Sequence, residues 1–283
     1  MNFLLRSITS LLLTGPLLGD GTEINQDTLE KLKLPGIRIN LEAKAVDVTS
    51  TITLVEGSLE FIACTKGTKE HEAIIAVEAK PSHIHTALLL LGAKAGHPAI
   101  RKIVGEGDDQ HWIDLPPKGS GVTVSLVIPN KDNKPIELPL SDFVHRLYDA
   151  GEPDKDATRK RLKVFLFAGS HLIGQDDTPK TYLADQSGSV ISLSTFGDEL
   201  LCLPQIYGHE NHALRWEVNP HPPPQDWNPS FAKNQTHQIK PLSKKITIYL
   251  ANLFAVPLKT MTARRRIVFK NTSQGKFANP SNS

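Results

Sequence analysis

The stretch that decides the fold is "LEFIACTKGTKEHEAIIAVEAKPSHIHTALLLLG", Leu59 to Gly92. Its first half reads as two buried strands, "GSLEFIACT" (57–65) and "HEAIIAVEA" (71–79), because short apolar runs are bounded by turn residues. Between them "KGTKE" supplies Gly67 and two lysines, the chemistry of a hairpin connection. Then the period changes. After Pro81, Ser82 is placed to cap a helix in which Ile84, Ala87, Leu88 and Leu91 recur at helical spacing, and Gly92 is placed to end it. A helix is therefore predicted over 82–91.

Outward from this centre, strand patterns dominate. "IRINLEAKAVDVTSTITL" (37–54) alternates apolar and polar residues, and "VTVSLVIPN" (122–130) and "KKITIYL" (244–250) read as further strands. "KVFLFAGS" (163–170), "TYLAD" (181–185) and "GSVISLSTF" (188–196) add three more, the last two as a hairpin around "QSG". "PLSDFVHRLYDAG" (139–151) reads as a second helix over 141–150, with Ser141 as cap and Gly151 as terminator. Runs of strands with only two helices predict an α+β fold with a largely antiparallel β-sheet. One domain is expected over 36–250, with an irregular Pro-rich segment at 219–229 and a polar C-terminal extension at 251–283.

The bulk composition narrows the class. With 39% hydrophobic and 22% charged residues the chain reads as ordinary globular protein, and a net charge of +2 gives no electrostatic footprint for nucleic acid. Residues 1–21 combine a short basic start with an apolar run, followed at once by polar, chain-breaking residues: an export signal, or, if uncleaved, an N-terminal membrane anchor. The protein is expected in the periplasm or cell envelope. Two cysteines, Cys64 and Cys202, are able to form one bridge, although Cys64 in "LEFIACT" also suits a small buried hydrophobe. Two thiols exclude an iron–sulfur cluster held by four cysteines of one chain.

Candidate chemistry concentrates in the opening stretch. His71 and Glu72 precede one strand, His83 and His85 follow it, and His97 lies in "GHP" beyond the helix. These are the side chains that would hold zinc or copper. On a helix, His83 and His85 point to different faces; on an extended chain they share one. The plainer reading of each is a turn histidine bonded to a nearby carbonyl or carboxylate. Elsewhere, "GHENH" has H-E-x-H where a zincin helix needs H-E-x-x-H, "FAGSH" sets Ser170 and His171 on opposite sides of the chain, and "DQSGS" lacks the G-x-S-x-G elbow. "GEGDDQHW" (105–112) reads as an acidic loop without EF-hand spacing.

Two blocks carry a family resemblance: residues 59–96, and "KVFLFAGS" followed by "YLADQSGSVISL". Together they are similar, in order, to the YdjY domain of exported, planctomycete-type bacterial proteins, over roughly Gly36 to Asn219. The chain departs from that pattern after "STFGDELLCLPQIYG". The resemblance implies export and a shared fold and brings no reaction with it. The leading expectation is an exported, non-enzymatic domain that binds a ligand or a cell-envelope partner. The alternative is a metal-dependent hydrolytic or redox protein using His71, Glu72, His83, His85 and His97.

Overall fold

The computed structural model describes residues 26, 29, 31–130, 134–147, 158, 160–176, 178–207, 215–219 and 245–251. The expected export signal (1–21), residues 148–150 of the expected second helix, residues 208–214 with "GHENHAL", the segment 220–229 and the extension 252–283 lie outside them.

Eight strands close into a barrel: β1 (Ala45–Ile52), β2 (Phe61–Thr65), β3 (Ala73–Val77), β4 (Gly121–Pro129), β5 (Phe165–Phe167), β6 (Ser189–Ser192), β7 (Leu201–Cys202) and β8 (Lys245–Leu250). Around the barrel the order is β1–β8–β4–β5–β7–β6–β2–β3, and β3 returns to β1 through Ser50↔Val77 and Ile52↔Ile75. The period-two patterns of the sequence are the reason it closes. Val46 and Val48 of β1, Val122, Val124 and Leu126 of β4, and Ile246 and Ile248 of β8 alternate onto one face and form a single core.

The sheet is mixed. Two of its seams, β2–β3 and β6–β7, are parallel. The expected hairpin at "KGTKE" is therefore corrected: residues 66–72 carry the chain back so that β3 runs alongside β2 in the same direction, Phe61 opposite Ala73 and Cys64 opposite Ala76. Parallel neighbours ordinarily need a crossover of about a dozen residues. Here a 3₁₀ turn at Glu70–Glu72 shortens the return, and Glu60 N–H donating to Glu72 O (3.1 Å) and Lys66 N–H donating to Val77 O (2.9 Å) fasten its two ends.

Helix α1 spans Pro81–Leu90. Pro81 at its first position has no N–H to leave unsatisfied, and the chain ends the helix at Leu91 before Gly92. Ile84, Ala87 and Leu88 are buried in the barrel's core, each large apolar side chain worth about 1.5–3 kcal/mol. The expected second helix is not formed over its described part. Leu140–Asp142 makes one 3₁₀ turn, and Val144–Leu147 is a strand paired with Arg215–Val218. Tertiary pairing overrides the helical spacing there: Val144 and Val218 are buried opposite one another, and the Arg146 guanidinium lies over the Trp216 ring at 5.9 Å. The hairpin expected around "QSG" is also absent. Thr181–Tyr182 pairs with Leu172–Ile173, and Leu183–Ser187 is a short helix, α2, stopped by Gly188 in the left-handed conformation.

One element stands off the barrel. Among the described residues Ile100–Val104 and His111–Leu115 pair only with each other, as an arm of two strands.

Candidate functional site

One end of the barrel gathers polar residues from three separate stretches of sequence. The 66–72 return turn brings Lys69. Strand β6 brings Ser189, with Ser187 just before it at the end of α2. The loop before β7 brings Asp198 and Glu199. Lys69 Nζ donates to Ser189 Oγ at 2.9 Å, Ser189 Oγ donates to Asp198 Oδ2 at 3.1 Å, and Ser187 Oγ donates to Ser189 Oγ at 3.2 Å. Gly188 permits this assembly: its φ is +78°, and a Cβ there would stand 2.3 Å from Thr68 Oγ1, so a side chain would push the return turn away. The Lys69 ammonium also sits 4.3 Å from the Phe61 ring centroid and 5.1 Å from that of Phe196, and the two rings stack at 4.9 Å.

Beside it, α2 and α1 lock together. Asp185 of α2 accepts from Ser82 N–H (2.8 Å) and Ser82 Oγ (2.6 Å), so the first turn of α1 is satisfied from another element instead of by Ser82 as cap. Ser170, at φ +50°, accepts from Ala184 N–H at 3.1 Å and donates to Asp198 O at 2.6 Å, tying the start of α2 to the Asp198 loop. Burial holds the Glu199 carboxyl above its ordinary range; Oε1 accepts from the Phe196 and Gly197 N–H groups, while Oε2 is buried without a partner among the described residues.

The histidines of the opening stretch do not converge. His71 is exposed, with Nε2 3.8 Å from Glu72 Oε2. His85 Nδ1 lies 2.8 Å from Tyr182 Oη, which itself donates to Gly169 O at 2.8 Å; the phenol has one proton, so Nδ1 carries the hydrogen. Burial holds this imidazole below its ordinary pKa, against the opposing pull of the Gly169 carbonyl. His97 Nδ1 bonds to Pro98 O at 2.8 Å, and His83 Nδ1 is buried without a partner among the described residues. Among the described residues no three His, Cys, Asp or Glu side chains form a group able to hold a metal ion.

The cysteines are both free and buried. Cys64 lies opposite Ser189 on one side of β6, and Cys202 opposite Ser192 on the other. A strand stands between them, which separates their backbones by two strand spacings, roughly 10 Å or more between Cα atoms, beyond any disulfide span. The possible bridge is not formed, and Cys64 is the small buried hydrophobe that its run suits. Burial pushes both thiols up, so they are protonated, inert packing groups.

On the arm the chemistry is reversed. Arg101 and Ile103 share one face with Trp112 and Asp114, since Arg101 pairs with Asp114 and Ile103 with Trp112. Arg101 grips Asp114 with two hydrogen bonds (2.7 and 3.0 Å). Ile103 and Trp112 stand 52% and 63% exposed. Glu106, Asp108 and Asp109, all exposed, make the tip acidic.

These features define a closed mixed β-barrel with a polar centre at one end and a projecting apolar arm. The YdjY domain family model matches residues 37–226, and the chain belongs to that family. No curated protein and no solved structure matches it.

Sequence reasoning passed over Lys69, Ser187, Ser189 and Asp198. Their only local signal was a pair of short motifs, "TKEHE" and "DQSGS", more than a hundred residues apart.

Proposed function

We propose that this chain is an exported protein of the periplasm or cell envelope that binds a protein partner through the arm. Support for export comes from the basic-then-apolar start at residues 1–21. Support for partner binding comes from one observation, the Ile103–Trp112 pair left in solvent on a hairpin that packs no core. An exposed Trp beside an exposed Ile is the composition of an interface hot spot. The neighbouring Arg101–Asp114 pair neutralises itself, so the charge beside the apolar pair is the acidic tip. That favours a partner with basic residues around an apolar groove, and it disfavours an anionic lipid surface.

The test is a photoreactive amino acid placed at Ile103 or, as control, at the adjacent Lys102 on the opposite face, followed by irradiation of the cells that export the protein. A discrete cross-linked protein from position 103 and none from position 102 is expected. Equal products from both positions, or none from either, would refute this reading.

A further inference from the structure

The polar centre at the barrel end is more than a set of satisfied hydrogen bonds. Ser187 is half-buried, and Ser189 behind it is fully buried. The donors point one way: Ser187 Oγ to Ser189 Oγ at 3.2 Å, then Ser189 Oγ to Asp198 Oδ2 at 3.1 Å. Both distances fall within the reach of a nucleophile and its base. Asp198 Oδ1 is buried and has no hydrogen-bond partner among the described residues, so the carboxylate's one side-chain contact is the Ser189 hydroxyl on Oδ2. Lys69 Nζ, 2.9 Å from the middle oxygen, holds a positive charge where negative charge would develop during proton transfer. The Phe196 ring, 36% exposed, borders the same ammonium and offers an apolar wall beside it.

We infer that Ser187 is the nucleophile of an acyl-transfer centre acting on carboxylic esters, with Ser189 as the proton bridge, Asp198 as the terminal base and Lys69 as the electrostatic stabiliser. In the first half-reaction the Ser187 Oγ–acyl bond forms and the ester C–O bond breaks. The Ser187 proton moves to Ser189 as that hydroxyl passes its own to Asp198, and Asp198 returns a proton through Ser189 to the leaving alkoxide. Water then attacks the acyl-serine, Asp198 takes its proton through Ser189 and returns one through Ser189 to Ser187 Oγ as the Oγ–acyl bond breaks, so the acid is released with Ser187 and Asp198 restored. Neither half-reaction requires an oxidant, a reductant or a co-reactant other than water. The inference concerns the barrel end alone and does not depend on partner binding by the arm.

The experiment is incubation of the purified full chain with diisopropyl fluorophosphate, followed by intact mass and peptide mapping, beside the folded variants Ser187→Ala, Asp198→Asn and Lys69→Met. A single diisopropylphosphoryl group on Ser187 is expected, absent from Ser187→Ala. Labelling should be slowed about 100-fold in Asp198→Asn, the scale of lost general-base assistance. The wild type decides the matter even if a variant fails to fold. No adduct on the folded wild type, an adduct mapped to another residue, or an undiminished rate in folded Asp198→Asn would each overturn the inference.

Discussion

The two ends of this molecule's chemistry are arranged in opposite ways. At the barrel end, charged and hydroxyl groups are drawn inward and answered by partners from distant strands. On the arm, large apolar side chains are left in water and the charges sit at the edge or cancel locally. The first arrangement costs stability if a partner is removed, because a buried polar group then loses a hydrogen bond that water does not replace. The second costs little when altered, because Ile103 and Trp112 are mostly exposed and stand outside the core. A protein keeps an exposed Trp on such a hairpin for a reason outside its own core.

That contrast sets the size of each expected effect. The largest is Gly169→Ala, in the loop that follows β5. Gly169 has φ +83°, and a Cβ would stand 2.8 Å from Ala95 Cβ and 3.2 Å from His85 Cε1. The left-handed backbone and the overlap together should cost about 3 kcal/mol or more, seen as a fall in Tm of about 6–12 °C by calorimetry. Asp185→Ala comes next. It removes the acceptor of both Ser82 groups and should destabilise by about 1–2 kcal/mol in urea titration, with Asp185→Asn recovering part of the loss.

Acidity should act more gently, and in two directions. His85 binds its proton less readily folded than at its ordinary 6.5, so the stability this provides is complete above pH 6.5 and is lost as pH falls through the lowered folded value. Glu199 holds its proton more readily than at its ordinary 4.5, so its contribution is complete below pH 4.5 and is lost as pH rises through the raised folded value. Urea titrations from pH 7.5 to 5 should show a shallower loss for His85→Gln than for wild type. The smallest effect on stability is expected for Trp112→Ala, whose Tm should stay within about 1 °C of wild type.

The sequence made much of the barrel legible and little of the site. Alternation at Val46–Val48, Val122–Leu126 and Ile246–Ile248 reports a face directly, and the Ile84–Ala87–Leu88 spacing reports α1. "VHRL" at 144–147 misled because its spacing suits a helix as well as a strand, and only its pairing with Arg215–Val218 separates the two. The direction of β3 was hidden for a similar reason: Gly67 permits a hairpin and a tight return equally. The polar centre was illegible because it is made by strand order. Lys69 and Ser189 meet only once β6 lies beside β2, and no local pattern encodes that neighbour. The histidines attracted attention by their residue type, yet His71 and His97 each find a partner next to them in sequence, and His85 meets Tyr182 from a distant stretch.

The measurement that bears most directly on the contrast between arm and barrel end takes Trp112→Ala and Asp185→Ala through the same two assays: thermal unfolding, and cross-linking from a photoreactive residue at position 103. The account predicts a double dissociation. Trp112→Ala should melt with wild type and lose the cross-linked partner, whereas Asp185→Ala should melt lower and, while folded, keep it. A Trp112→Ala protein that melts well below wild type, or that captures the partner undiminished, would contradict the assignment of the arm as the contact surface.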